Sequence, residues 1–179
     1  MFRLRYYQND ARDGIQSAWE RYRSTACVMP TGTGKTELYL SLAVEERGRV
    51  LVLVHRDYLI TSPVARLAKV GFTDVAIEKA ELRSERGGNR SQIVFASVQS
   101  IGPASQEQRL KWFDPKEFSL LIIDEGHRAV SQSYRRVKEY FEAGNPQIQT
   151  LILTATPKRK DGIALGNVCE SVGYEMSPG

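Results

Sequence analysis

Cysteine and long apolar stretches are scarce in this chain of 179 residues. Its two cysteines, Cys27 and Cys169, lie far apart and in no metal-binding spacing, which argues against a disulfide framework or a cysteine metal site. No apolar run approaches the length of a membrane span, and the N-terminal MFRLRYYQND lacks the apolar core of a secretion signal. We therefore expect a soluble intracellular protein, cytoplasmic and without a membrane partner.

A large excess of charge of either sign is also missing. The chain has 25 lysines and arginines against 21 aspartates and glutamates, a formal net charge of +4. So mild an excess favours an anionic partner but does not require one. The length corresponds to about one domain, so we predict a single domain over residues 1–179.

Short apolar runs do occur, and they alternate with longer amphipathic stretches. The runs are ACVM (26–29), LVLV (51–54), IVFA (93–96), LLII (120–123) and LILT (151–154). The alternation predicts an α/β fold with a mostly parallel central sheet and helices on both faces. Helices are predicted over residues 9–22, 35–46, 57–70, 106–112 and 132–142, the last with Ser131 as its N-cap.

Two segments stand outside this alternation. LRSERGGNRSQ (82–92) gathers glycine, serine and charged residues, which predicts an exposed loop. The residues after Pro157 begin with a basic KRK run and have little periodicity, so we expect the edge of the domain there. The KRK run itself favours a solvated turn over a nucleic-acid patch.

A glycine-containing turn follows the first apolar run, in VMPTGTGKTELYL (28–40). Gly32 and Gly34 allow a tight turn that points backbone N–H groups at phosphate oxygens, aided by the positive end of the following helix. Lys35 is expected to reach the terminal phosphates and the Thr36 hydroxyl a Mg²⁺ ion. Met29 stands where the strict pattern has glycine, so an ordinary turn before a helix remains the alternative. The predicted cofactor-binding residues of this segment are Thr31, Gly32, Thr33, Gly34, Lys35, Thr36 and Glu37.

Acidic residues come directly after the apolar run of LLIIDEGHRAV (120–130). A free carboxylate within a strand buried on both faces would be costly, so the acids are expected at the strand end, where α/β sheets bind ligands. Asp124 is predicted to hold the Mg²⁺ ion, directly or through water. Glu125 is then available to orient and deprotonate an attacking water. Together the loop and the acids predict a nucleoside-triphosphate site.

The series MPTGTGKT, DEGH and TATP, in this order and separation, resembles the first motor domain of a superfamily 2 helicase or translocase of the DExH kind. The resemblance covers nearly the whole chain and implies a RecA-like P-loop NTPase fold that uses ATP and Mg²⁺. It implies that Gln8 and Arg5, in LRYYQ (4–8), contact the adenine base. It also makes His127 a catalytic residue beside Lys35 and Glu125.

The same resemblance implies contacts with nucleic acid. His55 and Arg56 in LVLVHRDYL, and Ser97 and Gln99 in FASVQSI, match the segments that lie along the strand backbone in that family. Such polar groups suit phosphate and sugar contacts that do not depend on base sequence. For HRD, a helix start with Asp57 as its cap remains the alternative.

Thr154 and Thr156 match the residues that couple the nucleotide to nucleic acid in the same family. Strand-end hydroxyls that satisfy the backbone are the alternative for them. TATPKRKDG followed by a strand around GYEM resembles the branch with restriction motors, DNA-repair helicases and phage recombination helicases, which favours DNA over RNA. Gly126 departs from this pattern, because alanine is commoner there.

A motor of this family needs a second RecA-like domain, and the residues after Gly144 are too few to form one. We therefore expect this chain to be the ATP-binding half of an ATP-dependent DNA helicase or translocase. A stand-alone nucleotide-dependent nucleic-acid-binding module and an RNA helicase are the alternatives. A phosphotransferase is disfavoured, because DEGH and TATP have no role in one.

Overall fold

A computed structural model of the chain describes residues 2–79, 90–124, 131–156 and 168–176. Seven strands form one sheet in the order β3-β4-β2-β5-β6-β1-β7, and every pairing between them is parallel. The strands are β1 (Ser24–Val28), β2 (Arg49–Val54), β3 (Val75–Glu78), β4 (Ile93–Ser97), β5 (Phe118–Ile123), β6 (Gln149–Thr154) and β7 (Ser171–Glu175). The predicted α/β class and parallel sheet are confirmed.

Helices cover both faces of the sheet, as predicted. They are α1 (Tyr6–Trp19), α2 (Lys35–Glu45), α3 (Thr61–Lys69), α4 (Val98–Ile101), α5 (Glu107–Leu110) and α6 (Gln132–Gly144). Short 3₁₀ helices lie at Asp57–Ile60, Ala104–Gln106 and Pro115–Glu117. None of the described helices is long and apolar enough to cross a membrane.

Each central strand is buried on both sides, which explains its continuous apolar sequence. Alternate residues of β2 divide between two cores: Val50 and Val52 pack with α1, α2 and α3, whereas Leu51 and Leu53 pack with α4, α5 and α6. Because the central strands are buried on both faces, candidate functional residues are to be found at the strand ends and in the loops that follow them.

The predicted helix boundaries needed correction in several places. α1 begins at Tyr6 rather than at residue 9, because the Gln8 side-chain oxygen accepts a hydrogen bond from the Arg5 backbone N–H at 2.8 Å and so closes the first turn. The helix predicted over 57–70 is divided at Ile60, since Pro63 has no N–H to donate to a preceding carbonyl. The helix predicted over 106–112 is only one turn long, and Ser131 occupies the N-cap of α6 without a side-chain cap bond.

β7 completes the sheet beyond Pro157, where the weak periodicity indicated a domain edge and the family resemblance implied a strand around GYEM. It includes the GYE of the GYEM segment and pairs with β1. Gly14 of α1 lies against Gly173 of β7 so closely that a Cβ on Gly14 would collide with the Gly173 carbonyl oxygen. Two glycines therefore let α1 pack directly on the last strand.

A carboxylate fixes the beginning of β1. Glu170 accepts hydrogen bonds from the backbone N–H groups of Arg23, at 2.7 Å, and Ser24, at 2.9 Å. These bonds, with that from Ser24 the largest influence, lower the pKa of Glu170. The segment before β7 thus stabilises the opposite end of the sheet from the strand-end loops.

Candidate functional site

The predicted site residues that the structure describes gather at one edge of the sheet. Because all the strands are parallel, their carboxyl ends share that edge, and each of five strands leads into a predicted segment. β1 leads into the glycine loop, β2 into His55 and Arg56, β4 into Gln99, β5 into Asp124, and β6 into Thr156. The predicted Glu125 and His127, and the KRK run, lie outside the described residues.

The glycine loop has the backbone that its sequence predicted. Gly32 has φ of 83° and Gly34 has φ of 84°, both in the left-handed region where a side chain is strained. Gly34 is the N-cap of α2, which begins at Lys35 as predicted. The Thr33 hydroxyl donates to the Pro30 carbonyl oxygen at 2.7 Å and closes the turn. The loop therefore has the turn that phosphate binding requires, although Met29 stands at the first glycine position of the strict pattern.

Lys35 folds back over this loop. Its ammonium nitrogen donates to the carbonyl oxygens of Met29 at 2.9 Å and Pro30 at 3.1 Å. The ammonium group thus lies at the centre of the turn, beside the backbone N–H groups at the start of α2. Anions are favoured at such a position by both the positive charge and the helix dipole.

The start of α1 is hydrogen-bonded to the same loop. Gln8 is buried, and its amide nitrogen donates to the carbonyl oxygens of Thr33, at 3.1 Å, and Gly34, at 3.0 Å. The Tyr7 hydroxyl also donates to the Thr33 carbonyl, at 3.1 Å, and accepts from Arg5 at 2.9 Å. Of the predicted base-contacting residues, Gln8 is therefore bonded to the glycine loop directly and Arg5 through Tyr7, a residue that was not predicted.

A cavity of about 530 Å³ lies between the glycine loop, the start of α1 and the end of β5. All the predicted cofactor-binding residues and Asp124 line it. Two arginines that sequence analysis did not select, Arg3 and Arg66, line it as well. Arg66 belongs to α3 and forms an ion pair with Glu37 of α2. No sequence pattern indicates this pair, because its partners come together only through the packing of two helices.

The two predicted metal ligands are near each other. Thr36 and Asp124 line the same cavity, and both influence the buried Tyr39 behind them. Burial raises the pKa of Tyr39 well above its usual value, the Asp124 carboxylate raises it further, and the Thr36 hydroxyl opposes the shift. Among the described residues, the Tyr39 hydroxyl has no hydrogen-bond partner of ordinary geometry.

The donor set of one carboxylate and one hydroxyl fits Mg²⁺, which takes few protein ligands and completes its shell with phosphates and water. In the described part of the chain, no group of three or more acidic, histidine or cysteine side chains offers a complete metal cage. β6 lies between β1, which leads into the glycine loop, and β5, which leads into Asp124.

Thr154 and Thr156 contact each other at the end of β6. The buried Thr154 hydroxyl donates to the Thr156 carbonyl oxygen at 3.0 Å and lies 3.3 Å from the Thr156 N–H. This contact is what the backbone-satisfying alternative expects. A coupling role for the two residues stays a prediction.

A second cavity of about 500 Å³ lies at the β2 and β4 half of the edge. His55 and Gln99 line it, together with residues of α4 and α6. Arg56 is exposed and lies outside its lining. Ser97 is buried against the hydroxyl of Ser100 at 2.9 Å, so the structure does not bring it to this surface. Of the four predicted nucleic-acid residues, two therefore share a cavity.

Comparisons with known proteins agree with this architecture. The chain is 30% identical to the putative ATP-dependent helicase IRC3 of Saccharomyces cerevisiae, over 96% of this chain and 26% of that protein. It is 31% identical to the DNA 3'-5' translocase XPB2 of Sulfurisphaera tokodaii, over 89% of this chain and 32% of that protein. The chain thus spans about a quarter to a third of these relatives.

Two solved structures share the fold, each with a TM-score of 0.71. The UvsW helicase from bacteriophage T4 is 17% identical, with 95% of this chain and 59% of that one covered. The Pyrococcus furiosus Hef helicase domain is 23% identical, with 92% and 37% covered. The RecA-like fold and the resemblance to superfamily 2 helicases are confirmed. Residues 1–159 match the family model described as type III restriction enzyme, res subunit, and the chain belongs to that family.

Proposed function

We propose that this chain is the ATP-binding motor domain of an ATP-dependent DNA helicase or translocase. In the full-length protein, it would couple hydrolysis of Mg-ATP to movement on nucleic acid. The observation that carries the proposal is the single cavity in which the glycine loop, Lys35, Thr36, Asp124 and Gln8 meet.

Each part of this cavity suits one part of the nucleotide. The loop N–H groups and Lys35 would bind phosphate oxygens, and Arg5 and Gln8, which line the same cavity, would contact the base. A Mg²⁺ ion held by Thr36 and Asp124 would neutralise charge that develops on the phosphates. Glu125, directly after Asp124, is proposed as the base that takes a proton from the attacking water. His127 is proposed to act beside it.

Efficient hydrolysis is proposed to need a second RecA-like domain. Such a domain closes on the nucleotide and supplies an arginine to the transferring phosphoryl group, which commonly adds a factor of about 10³ or more to turnover. Relatives three to four times longer than this chain have room for it. We therefore propose that the isolated chain binds Mg-ATP and hydrolyses it very slowly.

DNA is proposed as the nucleic-acid partner. Support comes from relatives named as a DNA translocase and as ATP-dependent DNA helicases. Within this chain, the second cavity with His55 and Gln99 lies on the same sheet edge as the nucleotide cavity and has polar groups suited to a sugar-phosphate backbone. Arg56, exposed next to His55, would add the charge that makes binding depend on salt.

Titration of the chain with Mg-ATP by calorimetry tests the nucleotide part. Lys35→Ala should remove measurable binding and leave the fold intact, because Lys35, the half-buried first residue of α2, belongs to neither core. Lys69→Ala, at the exposed end of α3, is the matched control and should bind like the wild type. Equal affinity of the Lys35 variant and its control would refute the phosphate loop.

A steady-state ATPase assay with and without single-stranded and duplex DNA tests the motor part. Binding with almost no turnover is expected from the isolated chain. In the full-length protein, Glu125→Gln should keep ATP binding and lose hydrolysis, as removal of the base requires. Full-length protein that binds ATP and DNA but never hydrolyses ATP would instead be a nucleotide-dependent binding module. Stronger stimulation by RNA than by DNA would identify an RNA helicase.

A further inference from the structure

Arg66 projects a positive charge into the nucleotide cavity from a helix outside the glycine loop. It lies on α3, and Glu37, its ion-pair partner, lies in the first turn of α2 immediately after Lys35 and Thr36. A Cβ placed on Gly34 would be 3.2 Å from a Glu37 carboxylate oxygen, so the pair stands directly beside the phosphate loop. Its position is therefore within reach of whatever that loop binds.

The pair is exposed to solvent, so Arg66 can exchange Glu37 for another partner. The side chains of Arg66 and Glu37 are 40% and 32% exposed. Ion pairs of this exposure contribute little to stability, since water competes for both charges. A stronger anion in the cavity can therefore replace Glu37 as the partner of Arg66 at little cost.

A phosphate group is such an anion. Guanidinium groups bind phosphate through two parallel N–H donors, and these charge-assisted bonds are among the strongest in proteins. Among the described residues, the polar partners of Arg66 are Glu37 and the Ser62 hydroxyl, at 3.4 Å, so donors remain on its guanidinium. The cavity has four basic side chains and two acidic ones, Glu37 and Asp124, and Asp124 suits the metal.

We propose that Arg66 is a nucleotide-binding residue whose guanidinium exchanges the Glu37 carboxylate for phosphate oxygens of the bound nucleoside triphosphate. This inference rests on the proposed function of the cavity. The exchange also connects the nucleotide to the nucleic-acid side, because α3 follows directly on the 3₁₀ helix at Asp57–Ile60, next to Arg56. Glu37 then acts as the competitor of the phosphate.

The two partners of the pair should therefore have opposite effects. Arg66→Ala should lower the affinity for Mg-ATP roughly tenfold or more, as loss of a charged hydrogen bond does. Glu37→Gln should raise it about twofold or more, because the competing charge is removed. Arg66→Lys should restore only part of the affinity, since an ammonium group lacks the paired donors.

Arg12→Ala is the matched control. Arg12 pairs with Glu45 at the other end of α2, with side-chain exposures of 27% and 44%, and neither lines the nucleotide cavity. Calorimetry with Mg-ATP and the urea midpoint without nucleotide are measured for the wild type, these variants and Lys35→Ala. Weaker ATP binding by Arg66→Ala, tighter binding by Glu37→Gln and unchanged midpoints support the proposal.

Other outcomes overturn it in distinguishable ways. If the wild type binds no ATP, or binds it as tightly as Lys35→Ala does, the proposed function and this inference are both refuted. Lys35-dependent binding with Arg66→Ala equal to Arg12→Ala removes the role of Arg66 alone. Equal weakening in Arg66→Ala and Glu37→Gln, with lower urea midpoints, shows a structural pair that holds α2 to α3.

Discussion

The two cavities at the carboxyl edge of the sheet are similar in size and differ in charge. The cavity of the glycine loop measures about 530 Å³ and has six charged side chains in its lining. The cavity beside β2 and β4 measures about 500 Å³, and among the described residues of its lining the ionisable groups are His55 and the Tyr134 phenol. Within the described part of the chain, a single sheet edge thus has a strongly charged cavity beside one with few charged groups.

This difference matches the ligands proposed for the two halves. A triphosphate concentrates several charges in a small volume and needs matching cations and a metal. A nucleic-acid backbone spreads its charge along a strand, so hydroxyl, amide and imidazole groups can position it while exposed arginines supply attraction from outside. Substitutions outside the cavities should therefore change stability, those in the first cavity should change ATP affinity, and those beside the second should change DNA affinity.

The largest effect is expected outside both cavities, from a buried ion pair between α5 and the end of β3. Arg109 of α5 forms an ion pair with Glu78, which is fully buried at the end of β3, and also donates to the Lys79 carbonyl at 2.8 Å. Arg109→Ala would leave a buried carboxylate without this partner, which typically costs about 3–5 kcal/mol in the free energy of unfolding. Urea unfolding measures the loss.

An exposed pair on the same helix region provides the control. Lys111 pairs with Glu107 four residues earlier, and both side chains are more than half exposed. Lys111→Ala should leave the urea midpoint unchanged, because solvent already screens that pair. Equal midpoints for both variants would show that the buried pair does not support the fold.

The next largest effect is expected in the first cavity, at the glycines. A Cβ on Gly34 would collide with the Gln8 amide nitrogen, whereas a Cβ on Gly32 would meet nothing within 4 Å. Both alanine variants should be destabilised by about 1–3 kcal/mol, because each residue has a left-handed φ. Only Gly34→Ala should also displace Gln8. Because the two Gln8 bonds to the loop are then lost, its ATP affinity should be roughly tenfold lower than that of Gly32→Ala. Calorimetry that finds the same affinity for both variants would contradict a role for the Gln8 contact.

A smaller effect is expected from Arg56 on the nucleic-acid side. Arg56→Ala should weaken DNA binding and reduce the slope of log affinity against log salt by about one, with ATP affinity unchanged. Arg21, exposed at the other end of the sheet, is the control, and Arg21→Ala should bind DNA like the wild type. Fluorescence anisotropy over a salt series measures both slopes. A loss of ATP affinity with unchanged DNA affinity would show that Arg56 serves the nucleotide cavity and contradict its nucleic-acid role.

The smallest effect is expected from Glu170, far from both cavities. Its folded-state pKa lies below the ordinary value of 4.5, so it contributes stability above that pH and loses it as the pH falls through the lowered pKa. Urea midpoints of the wild type should therefore fall more steeply than those of Glu170→Gln below about pH 4.5. Parallel curves would show that the bonds to Arg23 and Ser24 do not stabilise the fold.

Sequence analysis located the strands that are buried on both faces, because these are continuous apolar runs. It did not include β3 or β7 among those runs, since edge strands bury less surface and β7 reads SVGYE. The glycine loop was predicted residue by residue, because phosphate binding by a backbone demands particular residue types at fixed spacing. Asp124 was found from the same kind of local constraint.

Contacts between distant segments were not predictable in this way. Arg66 and Glu37 are 29 positions apart in sequence, and nothing in either segment identifies the other. Tyr7 was missed although it lies in LRYYQ, because its role depends on the carbonyl oxygen of Thr33 in another segment. Ser97 was placed near nucleic acid by its position in a motif, whereas its hydroxyl points to Ser100.

The glycine contact between α1 and β7 affects where this protein can be shortened. The family match ends at residue 159, and a fragment cut there would lack β7 and Glu170. β1 would become an edge strand, and α1 would lose the surface on which Gly14 rests. Since α1 begins at the residues that hold the phosphate loop, such a fragment should lose nucleotide affinity although its whole glycine loop and Asp124 remain. Fragments intended for ATP binding should therefore extend through Met176, whose N–H bonds to the Val28 carbonyl oxygen at 2.9 Å.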